Sequence, residues 1–111
     1  FIPTLMEAAG KSVPVKAGLD GGSFYPRLLG QPGVPREWVY CYYDPRPGWD
    51  KDQFTLHEWA RNHRWKLYND DRLYDLANDP LEKRPYVALT DTPARRETRQ
   101  SLRAVLKQMR E

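Results

Sequence analysis

The chain has 111 residues, with eighteen Lys and Arg against fifteen Asp and Glu and a net charge of +3. That length suits one domain and is too short for two. The mixed charge does not require a nucleic-acid partner. Its one cysteine, Cys41, excludes an internal disulfide and a multi-cysteine metal site. Because of this mixed charge we do not expect a nucleic-acid partner. No apolar run is long enough to span a bilayer and the first residues lack the pattern of a signal peptide, so we do not expect a membrane partner either.

The first third of the chain predicts a short helix followed by a long connection. Residues 2–9 place a proline in the first turn, and Gly10 is a natural stop. The apolar face of this helix is expected to consist of Leu5, Met6 and Ala9. Residues 11–35 are rich in glycine and proline without a sustained period, which is typical of a loop. Within this loop, Ser23 is expected to cap one helical turn.

The middle of the chain predicts three or four antiparallel strands. Residues 37–44 give the clearest strand, and because both of its faces are bulky we expect it to be central and covered. A weaker strand is predicted for residues 56–62. Residues 65–68 and 72–76 then form a hairpin, joined by the turn-forming residues 69–71.

The last element is predicted to be a helix over residues 92–111. Thr92 can cap it and Pro93 fits its first turn. Its apolar stripe consists of Leu102, Val105, Leu106 and Met109. The fold class is therefore α+β: a small antiparallel sheet of three to four strands packed against a C-terminal helix, preceded by a short helix and a long loop.

Three segments carry a resemblance to a known family. Residues 65–82 read as a hairpin followed by a stop at Asn-Asp-Pro, and they resemble the C-terminal hairpin of the sulfatases of the alkaline-phosphatase-like superfamily. Residues 2–10, Ile-Pro-Thr-Leu-Met-Glu-Ala-Ala-Gly, resemble a helix of that family. Residues 18–30 are similar to its Leu-Asp-Gly-x-Ser segment. The matches occur in the family's order and together cover nearly the whole chain.

The resemblance implies a parent enzyme that hydrolyses sulfuric esters with calcium and a formylglycine. Formylglycine is made within a Cys/Ser-x-Pro/Ala-x-Arg motif, which the residues after Cys41 do not match. We therefore expect residues 1–35 to be the end of the main sulfatase domain and its connecting loop, and residues 36–111 to be the C-terminal subdomain. Such a fragment contributes packing and a wall of the substrate cleft, lacks catalytic residues and metal ligands, and is expected to be inactive alone.

The resemblance also implies partners and a place to look for substrate contacts. The partners are the missing N-terminal catalytic domain and a sulfated small molecule or glycan, and the parent is expected to be periplasmic or secreted. In this family the C-terminal subdomain borders the active-site cleft. The candidate substrate-facing residues are accordingly Lys51, His57 and Arg61, which are cationic or able to hydrogen-bond. Lys66 is expected to point outward from the hairpin.

Two other functions stay open at the level of sequence. One is a free-standing binding or interaction module that uses the sheet aromatics Trp38, Tyr40 and Tyr42, or the basic C-terminal helix. The other is a phosphatase or phosphotransferase of the same superfamily, which carries threonine or serine at the nucleophile position. A histidine on a mixed strand is more often a packing or surface residue, so His57 also has a structural interpretation.

Overall fold

A computed structural model describes residues 1–45 and 53–110 of the chain. It divides into two compact units, Phe1–Arg36 and Glu37–Glu111. The first unit contains short helical segments, and the second contains an antiparallel sheet and the longest helix. This arrangement confirms the predicted α+β class. The assignment of the two segments to a sulfatase main domain and subdomain stays a prediction.

The first unit is built from short helical turns: α1 (Ile2–Ala8), a 3-10 turn (Val15–Ala17) and α2 (Tyr25–Leu28). The backbone N–H of Phe24 donates to the Thr4 hydroxyl at 3.1 Å, which ties α1 to the start of α2. The Tyr25 N–H donates to the Ser23 hydroxyl at 3.2 Å. The helical turn expected after Ser23 is thus present, but its N-cap is Phe24, so the cap expected at Ser23 was placed one residue too early.

The buried face of α1 differs from the one expected. Pro3 and Thr4 are the buried residues, whereas Leu5 is 67% exposed. Ala9 is the C-cap and lies beyond the last helical residue. The face expected from apolar spacing is therefore wrong, because the hydroxyl bond of Thr4 turns that side of a two-turn helix toward α2.

The second unit is a four-stranded meander followed by a helix. Its elements are β1 (Val39–Tyr43), β2 (His57–Arg61), β3 (Trp65–Tyr68), β4 (Leu73–Asp75), a 3-10 turn (Ala88–Thr90) and α3 (Pro93–Gln108). The strands are antiparallel in the order β1-β2-β3-β4. Ala60 lies opposite both Tyr40 and Leu67, and Leu67 lies opposite Leu73. The number of strands and their antiparallel pairing agree with the prediction.

Strand β1 lies at the edge of the sheet and not at its centre. It pairs with β2, and Tyr42 and Tyr43 are 57% and 56% exposed. Trp38 and Tyr40 pack partly against the core. The expectation of a central, covered strand was wrong because bulky aromatic faces describe side-chain size, whereas position in a meander follows chain order.

The core of the second unit lies between the sheet and α3. It consists of Ala60, Leu67 and Leu73 from the sheet and Leu102, Val105 and Leu106 from α3, with Met109 packed against it. These α3 residues form the predicted apolar stripe. The Thr92 hydroxyl accepts from the Arg95 N–H at 3.4 Å, as expected for the helix cap. Among the described residues, no helix combines the length and apolarity needed to cross a bilayer.

The hydrogen bonds of one buried arginine, Arg99, complete the packing around α3. The Arg99 guanidinium is 2% exposed and donates to the Asp91 carboxylate at 2.6 Å. It also donates to the backbone carbonyls of Asp71 and Tyr86. One side chain on α3 thus bonds the hairpin turn and the segment before the helix.

The core predicts that alanine substitutions at two leucines of the second unit reduce stability by very different amounts. Leu102 is 2% exposed and Leu89 is 100% exposed. Replacing Leu102 by alanine removes buried methylene groups and leaves a cavity, so we expect a loss of about 3 kcal/mol in the free energy of unfolding. The Leu89→Ala control should change it by less than about 0.5 kcal/mol. Urea unfolding measures both, and equal losses would contradict this core.

Asp75 is a buried carboxylate with a strongly lowered pKa. Arg64 donates to both of its oxygens, at 2.9 and 2.6 Å, and Asn78 donates to Oδ2 at 2.8 Å. The bonds from Arg64 are the largest cause of the shift, and they lower the pKa of Asp75 from 3.8 to about 2. Folding therefore favours the ionised form.

This shift predicts an acid-dependent loss of stability. Because the folded pKa lies below the unfolded pKa, the contribution of Asp75 is present above about pH 4 and is lost as pH falls toward about 2. The Asp75→Asn variant should be less stable at pH 7 and should show a shallower decline over that window. Thermal unfolding at a series of pH values tests this, and an unchanged slope in the variant would count against it.

Candidate functional site

The sheet presents a second face on the side opposite α3. Since side chains alternate along a strand, the neighbours of the core residues point to this side. The second sheet face consists of Val39, Cys41, Tyr43, His57, Trp59, Arg61, Lys66, Tyr68 and Tyr74. It is rich in aromatic rings and carries three side chains with basic nitrogen atoms, those of His57, Arg61 and Lys66.

The structure separates the predicted substrate-facing residues. His57 opens β2, is exposed, and lies edge-on to the Tyr68 ring at 6.5 Å between centroids. Arg61 closes β2, and its Nε donates to the Asn62 carbonyl at 3.1 Å. Four residues of strand place them about 13 Å apart on the same face. Lys51 lies outside the described residues.

A cluster of side chains around Lys66 on this face was not predicted. The Lys66 ammonium donates to Glu82 Oε1 at 2.7 Å, and the Tyr68 hydroxyl donates to Glu82 Oε2 at 2.5 Å. The same ammonium lies 4.5 Å from the ring centroid of Trp59 and 4.7 Å from that of Tyr68. Lys66 thus combines an ion pair with two cation–π contacts.

Burial and pairing together fix the charges of this cluster. The side chain of Lys66 is 13% exposed and that of Glu82 is 25% exposed. Burial by itself would lower the pKa of Lys66, but the hydrogen bonds to Glu82 and Tyr68 outweigh it and leave this pKa raised. For Glu82, burial is likewise outweighed by the bonds from Lys66 and Tyr68, so its pKa is lowered. Lys66 therefore stays protonated and is poorly suited to act as a nucleophile or base.

The position of Lys66 modifies what the hairpin pattern indicated. Lys66 does point away from the core, but Glu82 covers it. Glu82 has a φ of 54°, and its N–H donates to the Asp79 carbonyl at 3.1 Å. The turn after β4 thereby folds back toward β3. The sequence signalled the end of the strand at the Asn-Asp-Pro stop but held no local sign of this return.

Further cation–aromatic contacts extend the cluster toward β4. The Arg72 guanidinium lies 5.0 Å from the Tyr68 ring centroid and donates to the Tyr74 hydroxyl at 3.2 Å. It also bonds the Asp70 carboxylate at 2.6 Å. Lys66 and Arg72 are thus each paired with a carboxylate and packed against an aromatic ring.

The three aromatics proposed as a stacking platform are not presented together. Trp38 and Tyr40 pack partly against the core, while Tyr42 is exposed. The Tyr40 hydroxyl donates to the Glu58 carboxylate at 3.0 Å. Since a single-strand nucleic-acid platform needs successive exposed rings, this row offers little support for such a role.

Comparisons with known proteins show a likeness to solved structures. No family model and no curated protein matches the chain. Its structure is similar to that of BT4656 in complex with its substrate D-glucosamine-2-N,6-O-disulfate, with a TM-score of 0.69 and 25% sequence identity. The likeness covers 98% of this chain and 22% of the BT4656 chain. The chain thus spans about a fifth of the length of the BT4656 chain.

The Lys66–Glu82 pair predicts measurable coupling. In a double-mutant cycle of Lys66→Met and Glu82→Gln, we expect an interaction free energy of about 1–2 kcal/mol, because both groups are largely buried and hydrogen-bonded. The Asp70–Arg72 pair is a matched control, with side chains 49% and 46% exposed. Its cycle should give less than about 0.5 kcal/mol. Urea unfolding measures both cycles. Equal coupling in the two would contradict the expectation that burial strengthens the Lys66–Glu82 interaction.

Proposed function

We propose that this chain is the C-terminal segment of a sulfatase whose substrate is a sulfated sugar. The observation that carries the proposal is the likeness to BT4656, whose substrate is a sulfated glucosamine, over 98% of this chain. The three sequence segments that resemble sulfatases support it, since they occur in the family's order. A likeness to a part of a larger chain also fits a segment better than an independent enzyme.

In this proposal the segment contributes packing and a wall of the substrate cleft. The second sheet face is the candidate wall, because it carries His57 and Arg61. A sulfate group would be bound by such donors and cations, and a sugar ring would lie against the aromatic side chains. Lys51 is kept as a candidate for the same role.

The calcium and formylglycine of the proposed enzyme belong to the rest of the polypeptide. Within residues 1–45 and 53–110, no three His, Cys, Asp or Glu residues form a group that could hold a metal ion. The adjacent carboxylates of Asp70 and Asp71 bond Arg72 and Arg103. These residues do not fit a calcium site, and Cys41 does not fit the formylglycine motif.

An activity assay tests the reaction class. The chain alone is expected to release no sulfate from glucosamine-6-sulfate, whereas the complete polypeptide should do so and should contain a Cys/Ser-x-Pro/Ala-x-Arg motif. Sulfate release by the isolated chain would contradict the assigned role. Release of phosphate from a phosphate ester, without sulfate release, would favour the phosphatase alternative. Absence of both activities from the complete polypeptide would favour an interaction module.

The candidate wall predicts a specific kinetic change in the complete enzyme. His57→Ala is expected to raise KM for the sulfated sugar about fivefold with kcat changed less than about twofold, because a binding contact common to ground and transition states is lost. His63→Ala is the matched control, since this exposed histidine lies in the β2–β3 turn outside the second sheet face. Equal effects of the two substitutions would exclude His57 from the wall.

A further inference from the structure

A groove of about 420 Å³ lies between the tip of the β3–β4 hairpin and the C-terminal part of α3. Among its lining residues are Asn69 and Asp71 from the hairpin and Arg103, Leu106, Lys107 and Arg110 from α3 and the turn after it. Because three- and four-residue steps bring helical side chains to the same side, the three cations lie along one stripe. Leu106, at 5% exposure, is an apolar part of the lining.

Carboxylates hold two of these cations in position. Arg103 donates to Asp71 through Nε at 2.9 Å and Nη2 at 2.6 Å. Arg110 donates to Glu58 through Nε at 2.8 Å and Nη2 at 2.6 Å. Both pairs use the same edge of the guanidinium, so the edge that bears Nη1 is directed away from the carboxylate. Fixed guanidinium groups lose little conformational entropy when they bind an anion.

The charge and size of the groove define a class of ligand. The three cations of its described lining, Arg103, Lys107 and Arg110, outnumber the two carboxylates that bond the arginines, Asp71 and Glu58. A volume of about 420 Å³ lies within the range of about 300–1,000 Å³ that small-molecule sites occupy. We propose that this groove binds a sulfated saccharide unit, whose sulfate is bound by the cations of α3. The choice of a sulfated sugar rests on the proposed function.

A nucleic-acid strand suits this groove less well. Binding of single strands relies on aromatic rings on which bases stack. The aromatic residue at the groove is Tyr68, and its ring contacts Lys66 and Arg72 on the second sheet face. The remaining lining consists of three cations, the Asn69 amide, the Asp71 carboxylate and Leu106, and its cations and amide match the sulfate and hydroxyl groups of a saccharide.

Nuclear magnetic resonance titration of the 111-residue chain with a sulfated heparin-derived disaccharide tests the proposal. Saturable amide shifts are expected at residues 69–71 and 103–110, and they should weaken as salt is added. Lys107→Gln and Arg103→Gln should each reduce the affinity about tenfold, since a hydrogen bond to a charged group is lost. Arg96→Gln removes the same charge from an exposed position of α3 outside the groove and should change the affinity less than about twofold.

Several outcomes would overturn the proposal. These are the absence of saturable shifts, equal weakening by Arg96→Gln, or equal affinity for inorganic sulfate, for the unsulfated disaccharide or for a single-stranded oligonucleotide. The titration needs no turnover, so its failure leaves the proposed sulfatase activity standing. Conversely, loss of the sulfatase hypothesis in the activity assay would leave a measured saccharide affinity intact.

Discussion

The buried guanidinium of Arg99 fixes the position of α3 in the second unit. It bonds the Asp91 carboxylate and the carbonyls of Asp71 and Tyr86, and so connects α3 to the hairpin turn and to the segment before the helix. The bonds from Arg99 are the main cause of the lowered pKa of Asp91. Removing one partner of such a buried pair costs about 3–5 kcal/mol, because the other charge is then left without compensation. The pair therefore makes the position of α3 specific, while the apolar stripe supplies most of the driving force.

Once α3 is fixed, the sheet has two faces with different roles. The face toward α3 holds the apolar core, and its two buried carboxylates, Glu58 and Asp75, are each bonded by an arginine. The second sheet face carries aromatic rings and the Lys66–Glu82 pair, and it is the face that we propose as a wall of the substrate cleft. The period of two along each strand thus separates stability from the proposed binding function.

The same arginine-to-carboxylate chemistry links the fold to the proposed saccharide groove. Asp71 and Glu58 fix the groove's two arginines and at the same time attach the end of α3 to the hairpin and to β2. In the hairpin turn Asp71 has a left-handed backbone, with a φ of 73°, and its carboxylate accepts from Arg103. Asp71, which sequence reasoning identifies only as a turn former, therefore also carries a charge that positions a helix.

Local sequence signals determined the strands, the cap and stripe of α3, and the resemblance to sulfatases. Alternation, turn residues and capping act over a few positions, so they can be detected without knowledge of the fold. Tertiary structure alone decided the edge position of β1, the burial of Pro3 and Thr4 in α1, and the pairing of Lys66 with Glu82. Each depends on partners ten or more residues apart, whose meeting is set by chain return and not by local pattern. That is also why the cations of the candidate groove and the rings of the second sheet face were visible as residues but not as surfaces.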